Sequence, residues 1–202
     1  MNKSHLLVGL LMVSAMVGCG QVPSSSVAGK SAVVSTQSVQ AEAQLLDAAS
    51  KGRTDLVAAL LDRGARVDAQ NTNGYTALAL AAWRGHRETV KLLVERGAQV
   101  DLGTQDRKTP IHWAAVAGHA EILKDLFAVK ATVDNRDKDG WTPLAWASFN
   151  GRVEAVRVLI ASGADVNARN DRGVSVLELA RSSGFVLPNF EVLRMLREAG
   201  AR

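Results

Sequence analysis

The sequence has very little cysteine: Cys19 is the only one in a chain of 202 residues. A single cysteine cannot form an internal disulfide, so the fold must be held by other interactions. Long apolar runs are also missing. The longest mostly apolar stretch, Leu6 to Val17, covers 12 residues, whereas a helix that crosses a bilayer needs about 20. These absences exclude a disulfide-stabilised scaffold and a membrane-spanning helix in this stretch.

No segment of the sequence is strongly positive or strongly negative. The formal net charge is +4, from 24 basic and 20 acidic side chains, and no run of Lys or Arg is long enough to form a phosphate-binding stripe. This composition argues against nucleic-acid binding. Catalytic groupings and a Gly-rich phosphate cradle are missing as well. We therefore predict a protein that is not an enzyme and that uses no cofactor, metal or small-molecule substrate.

What the sequence does contain is an internal repeat with a period of 33 residues. The pattern is clearest between Asp106 and Leu126, which read DRKTPIHWAAVAGHAEILKDL. Each of five units has an apolar stretch that holds a small residue and ends at a glycine, and in the last four units a hydroxyl residue precedes this stretch. The hydroxyl residues are Thr76, Thr109, Thr142 and Ser175, the small residues are Ala48, Ala81, Ala114, Ala147 and Ala180, and the glycines are Gly52, Gly85, Gly118, Gly151 and Gly184.

Each unit is predicted to contain two helices. Thr109 offers a side-chain oxygen as an N-cap, and Pro110 after it has the φ of a first helical turn. Gly118 can adopt the left-handed conformation that ends this helix. In the second helix, apolar residues at i, i+3 and i+4 form one stripe that faces the core. Two such sets are Val90, Leu93 and Val94, and Val156, Leu159 and Ile160.

This repeat resembles the ankyrin family, whose period is 33 residues and whose motif is T-P-L-H-x-A. The resemblance implies an all-α solenoid of about five helix-turn-helix units over residues 41–202, joined by hairpin-like loops, with the two terminal units as caps. It also implies that His86, His112 and His119 are structural residues. Members of the family generally bind other proteins on the concave side, which the loop tips and the first helices form.

Carried over position by position, the family's interface corresponds to aromatic and charged residues of this sequence. They are Tyr75, Trp83, Arg84, Asp106, Arg107, Lys108, Trp141 and Phe149. Trp, Tyr and Arg dominate binding hot spots, so these residues are the predicted partner-binding surface. The alternative is that the rings pack between neighbouring units. Trp113 and Trp146 replace an apolar position of the family, and we expect them in the core.

The third unit departs from the repeat at two positions. Arg107 stands where other units have a glycine such as Gly74, and Lys130 stands where they have a glycine such as Gly97. If the left-handed backbone is kept, each replacement costs on the order of 1 kcal/mol. The alternative is that the backbone relaxes at these positions.

Residues 1–18 are predicted to be a signal peptide, in which Lys3 supplies the positive charge. The sequence Met16-Val17-Gly18-Cys19 resembles the lipobox of bacterial lipoproteins, which implies that Cys19 becomes the acylated N-terminus. Gly20, which is not Asp, implies the outer membrane. The alternative is an ordinary signal peptide, whose removal leaves a soluble periplasmic or secreted protein. Residues 19–40, poor in bulky side chains, are predicted to be the lipid attachment site and a flexible tether.

Taken together, these features predict a non-catalytic adaptor or scaffold that is lipid-anchored in the bacterial cell envelope and faces the periplasm. Its partner is a protein of unknown identity, held on the concave face. The alternative function is that of an inhibitor or immunity-type lipoprotein that blocks an envelope enzyme or toxin.

Overall fold

The computed structural model describes residues 26–182 and 190–202, with side chains from residue 38 onward. In these ranges the chain forms ten α-helices and no strand, which confirms the all-α prediction. The helices are α1 (Ser26–Ser50), α2 (Thr54–Asp62), α3 (Ala77–Arg84), α4 (Arg87–Glu95), α5 (Pro110–Ala117), α6 (Ala120–Ala128), α7 (Pro143–Phe149), α8 (Val153–Ala161), α9 (Val176–Ser182) and α10 (Phe190–Glu198).

The helices form two layers, one from the first helix of each unit and one from the second. In the first layer α3 packs between α1 and α5, and α7 packs between α5 and α9. In the second layer α4 packs between α2 and α6, and α8 packs between α6 and α10. Large apolar side chains fill the space between the layers, among them Leu45, Leu78, Leu93, Ile111, Leu123, Leu144 and Leu159. The predicted solenoid of five helix-turn-helix units is therefore confirmed.

The predicted helix boundaries are formed by the residues that the repeat identified. Thr76 Oγ1 accepts a hydrogen bond from the Ala79 amide at 3.1 Å. At Thr109 the backbone N–H donates to Nδ1 of His112 at 3.2 Å, which is one arm of a capping box. Gly118 ends α5 with a φ of 90°. Local sequence thus fixes where the first helix of a unit begins and ends.

A second set of hydrogen bonds ties each unit to the one before it. A side chain directly after the helix-ending glycine reaches the last turn of the preceding first helix and donates to a backbone carbonyl there. The pairs are His86 Nε2 with Ser50 O at 3.1 Å, His119 Nε2 with Trp83 O at 3.1 Å, and Arg152 Nε with Val116 O at 3.0 Å. The structural role expected for His86 and His119 is confirmed, and Arg152 makes the equivalent hydrogen bond in the fourth unit.

Both departures of the third unit keep the left-handed backbone. The φ of Arg107 is 59° and that of Lys130 is 65°, and they are the two non-glycine residues with positive φ in the described ranges. The alternative of a relaxed backbone is therefore wrong. Each position costs on the order of 1 kcal/mol relative to glycine.

The N-terminal part of α1 differs from the flexible segment that the composition suggested. Residues 26–40, assigned to the tether, are helical and continue into the part of α1 that carries Leu45 and Leu46 into the core. A helix anchored at one end propagates readily, and this stretch contains no proline to stop it. The division at residue 41 stays a prediction.

The signal peptide and the proposed lipid attachment at Cys19 lie outside the described residues, as does Gly184, and these assignments stay predictions. Among the helices that are described, none combines the length and the apolar character needed to cross a bilayer.

Candidate partner-binding surface

Five aromatic side chains share the outer surface of the first-helix layer on three neighbouring units, and all are partly exposed. We call them, together with the lysine that joins them, the aromatic strip. Its members are Tyr75 in the loop before α3, Trp83 on α3, Lys108 in the loop before α5, Trp113 on α5, and Trp146 and Phe149 on α7.

The rings of the strip contact one another in two groups. The centroid of Tyr75 lies 6.3 Å from that of Trp83 and 5.1 Å from that of Trp113, and the two indoles are 5.4 Å apart. Trp146 and Phe149 form an edge-to-face pair with centroids at 6.2 Å. These separations fall in the range of favourable aromatic pairs. The rings therefore stabilise one another in fixed orientations while keeping part of their surface in solvent.

Lys108 joins the two groups. Its Nζ lies 4.5 Å from the ring centroid of Trp146 and 5.9 Å from that of Trp113, which places the cation over both indole faces. The same Nζ is 3.4 Å from Oδ2 of Asp137, and only 14% of the lysine side chain is exposed. The charge of Lys108 is therefore balanced inside the strip, and its predicted contact with a partner stays a prediction.

Asp137 organises this part of the surface although its side chain is completely buried. Its Oδ1 accepts hydrogen bonds from the amides of Asp139 at 3.0 Å and Trp141 at 2.9 Å. Its Oδ2 accepts from Nε1 of Trp146 at 2.9 Å. A buried carboxylate needs both hydrogen bonds and a cationic partner, and Lys108 supplies the second. Asp137 consequently fixes the positions of both Trp146 and Lys108.

The other predicted charged residues surround the strip. Arg84 is exposed and holds its guanidinium carbon 4.6 Å from the ring centroid of Trp83. Arg107 is exposed on the loop tip before α5. Asp106 forms an ion pair with Lys138, and the hydrogen bond in this pair holds the pKa of the Asp106 carboxyl below its usual value. Burial, with a smaller effect of the Asp106 charge, raises the pKa of the Tyr75 hydroxyl.

Comparison with known protein families agrees with this architecture. The family model described as ankyrin repeats (3 copies) matches residues 45–137, 99–170 and 125–202, which together cover most of the chain. The chain belongs to the ankyrin-repeat family. Proteins built from ankyrin repeats are generally non-catalytic modules for protein–protein interaction. No curated protein matches the sequence.

Two residues of the ankyrin units lie elsewhere than expected. Trp113 and Trp146 were expected in the core, yet both are partly exposed members of the strip. They share their position in the repeat with Leu80 and Leu179, which do pack against the core. An indole is larger than a leucine side chain and carries an N–H that needs an acceptor when buried. Trp146 meets that need through Asp137, whereas Nε1 of Trp113 is buried without a hydrogen-bond partner among the described residues.

Trp141 is the one predicted anchor that the ankyrin fold separates from the others. Its side chain is partly buried and packs against the hydrophobic core. Its backbone carbonyl lies 3.2 Å from Nε2 of His112, which ties the tip of the fourth unit to α5. Tyr75 and Trp83 contact each other, whereas Phe149 belongs to the other group and packs on Trp146. The alternative that the rings pack between neighbouring units is confirmed in part, and the partner-binding role stays a prediction.

Sequence reasoning missed Trp113, Trp146 and Asp137 as parts of this surface. The available signal was the repeat itself, because Trp113 and Trp146 stand where the second and fifth units have leucine, and Asp137 stands where those units have asparagine. Asp137 corresponds to Asn71 and Asn170, whose side chains make the same two bonds to backbone amides but carry no charge. In the described ranges no group of three or more His, Cys, Asp or Glu side chains is arranged to hold a metal ion.

Proposed function

We propose that this ankyrin-repeat protein is an adaptor of the bacterial cell envelope that binds a partner protein through the aromatic strip. The observation that carries the proposal is the strip itself: five partly exposed rings, contiguous over three units and outside the hydrophobic core. A cluster of large apolar side chains that reach solvent on neighbouring units is typical of an interaction site.

The strip is also suited to binding because it is organised in advance. Trp146 is fixed by its bond to Asp137, and the ring contacts restrict Trp83 and Trp113. Large side chains that are already ordered lose little conformational entropy when a partner covers them. Such residues typically supply most of the affinity of an interface.

The envelope location rests on the N-terminal sequence. A basic residue, a short apolar run and a lipobox-like Met16-Val17-Gly18-Cys19 are typical of lipoprotein export. Acyl chains on Cys19 would hold the repeats at the outer membrane, on its periplasmic side, because two or more chains anchor a protein stably. Without acylation the protein would be soluble in the periplasm or secreted.

The test is capture of a partner from envelope extract with the full chain as bait, by chemical crosslinking and mass spectrometry. The affinity of the captured protein is then measured for the parent, for Trp83→Ala/Phe149→Ala and for Phe190→Ala. Phe190 is a matched control, since it is 72% exposed on α10 and is not part of the strip. Loss of two anchors should weaken binding about thirtyfold or more, while Phe190→Ala should leave it unchanged.

Equal affinities for all three proteins would place the binding surface elsewhere. The activity of the captured partner separates the two functions that share this surface. An adaptor leaves the partner active, whereas an inhibitor or immunity-type lipoprotein abolishes its activity in proportion to the bound fraction.

A further inference from the structure

Around Tyr75, Trp83 and Trp113, some positively charged side chains are not balanced by ion pairs within the described part of the domain. Asp106 is neutralised by Lys138, and Asp137 is neutralised by Lys108. Arg84 and Arg107 have no acidic partner within ion-pair distance among the described residues. Two exposed cations therefore remain free beside the group formed by Tyr75, Trp83 and Trp113.

These two arginines lie at opposite ends of that group. Arg84 is the last residue of α3, while Arg107 belongs to the loop tip, at the end where first helices begin. A helix of the length of α3 spans about 12 Å. The aromatic group consequently has one free guanidinium near each end. An apolar centre with a charged rim is the usual anatomy of a protein interface.

Each arginine has a feature that its counterparts in the other units lack. The guanidinium of Arg84 stacks on the indole of Trp83, which leaves its edge N–H groups available to a carboxylate. Arg107 keeps a strained positive φ of 59° at a position where the next unit has Gly140. Backbone strain of this kind is concentrated at functional sites. The exposed Arg107 thus places a cation at the tip of the central unit.

We propose that the partner presents an acidic protein segment, with an apolar side chain between carboxylates on both sides. The apolar side chain would contact Tyr75, Trp83 and Trp113, and the carboxylates would pair with Arg84 and Arg107. The proposal rests on the proposed function, because it specifies the partner of the same strip. The net charge of +4 favours approach of an acidic partner over a basic one.

The test uses two peptides without tryptophan that share a central Phe-Leu pair and differ only in four flanking residues, Glu in one and Lys in the other. Each is titrated into the full chain at low salt, and the change in tryptophan fluorescence reports binding, because three of the four tryptophans belong to the strip. The acidic peptide should bind at least tenfold more tightly than the basic one, and this preference should shrink as salt is added. In Arg84→Glu/Arg107→Glu the preference should disappear or reverse.

The control variant Arg63→Glu/Arg197→Glu changes the net charge equally at exposed arginines outside the strip, and it should keep the parent's preference. A preference that survives in Arg84→Glu/Arg107→Glu, or that is lost equally in the control, overturns the proposal. So does tighter binding to phosphatidylglycerol vesicles than to the acidic peptide, which would assign the arginines to a lipid surface. If neither peptide binds, the proposal is also wrong, whereas the adaptor function is judged separately by the capture experiment.

Discussion

Lowering the pH from 7.5 to 5.0 is expected to destabilise the repeat domain, because His112 is buried in its neutral form. The side chain is 0% exposed. Its Nδ1 accepts from the amide of Thr109 at 3.2 Å, so the ring proton must be on Nε2, which lies 3.2 Å from the carbonyl of Trp141. Protonation of Nδ1 would remove the acceptor of the Thr109 amide and leave a charge in the core. Burial accordingly lowers the pKa of His112 from 6.5 to about 4.

The direction and size of this change in stability follow from the difference between the unfolded and folded pKa values of His112. The unfolded chain binds the proton with a pKa near 6.5 and the folded chain only near 4, so the contribution of the neutral ring is complete above 6.5 and is lost as the pH falls toward 4. Between pH 7.5 and 5.0 this amounts to a loss of about 2 kcal/mol in the free energy of unfolding. Carboxyls with lowered pKa values, such as Asp106 and Asp125, lose their contribution only below this window.

The assay is urea unfolding followed by circular dichroism at several pH values, for the parent and for His112→Gln. Glutamine at this position keeps an acceptor for the N-cap amide but does not titrate. We expect His112→Gln to be less stable than the parent at pH 7.5 and to lose little further stability down to pH 5.0. Parallel pH dependences for the two proteins would refute the argument, since the proton uptake would then belong to another group.

Three further predictions concern the backbone and the anchor. Arg107→Gly should raise the free energy of unfolding by about 1 kcal/mol by relieving the positive φ, while Arg107→Lys should not change it; equal melting temperatures for the two variants would contradict the strain. Gly118→Val should lower the melting temperature more than Gly64→Val. Both glycines have positive φ, but only at Gly118 would an added Cβ meet a neighbour, 2.8 Å from Cδ of Arg152. Similar decreases for the two variants would contradict the close contact. Cys19→Ser should release the protein from the membrane fraction and block lipid-dependent processing, and unchanged fractionation and processing would refute lipidation.

The sequence predicted the backbone of the repeats more completely than the partner-binding surface. The 33-residue period reports interactions that every unit repeats, such as the cap at Thr109 and the left-handed turn at Gly118. These depend on a few neighbouring residues, so local chemistry is sufficient to predict them. The same reasoning correctly marked Arg107 and Lys130 as strained if the backbone was kept, because a departure from a repeat is visible only against its period.

The composition of the aromatic strip depends on contacts between units, which the period does not report. Nε1 of Trp146 donates to the buried carboxylate of Asp137, and Lys108 is largely buried beside the same carboxylate. Neither arrangement can be predicted from one sequence position, because each depends on contacts among Lys108, Trp146 and Asp137. The helical part of the predicted tether was missed for a related reason: a helix anchored by Leu45 extends into sequence that would not nucleate one.

The layered arrangement of helices also determines how the molecule would bear mechanical load. If the N-terminus is held at a membrane while a partner is bound on the second to fourth units, a pull between them passes in series through α1 and α2 into α3 and α4. Those contacts are formed by α1 with α3 and by α2 with α4. The last unit stands outside this path. The strength of such a tethered complex under force would therefore be limited by the weaker of two elements in series, the first junction of the solenoid and the interface with the partner.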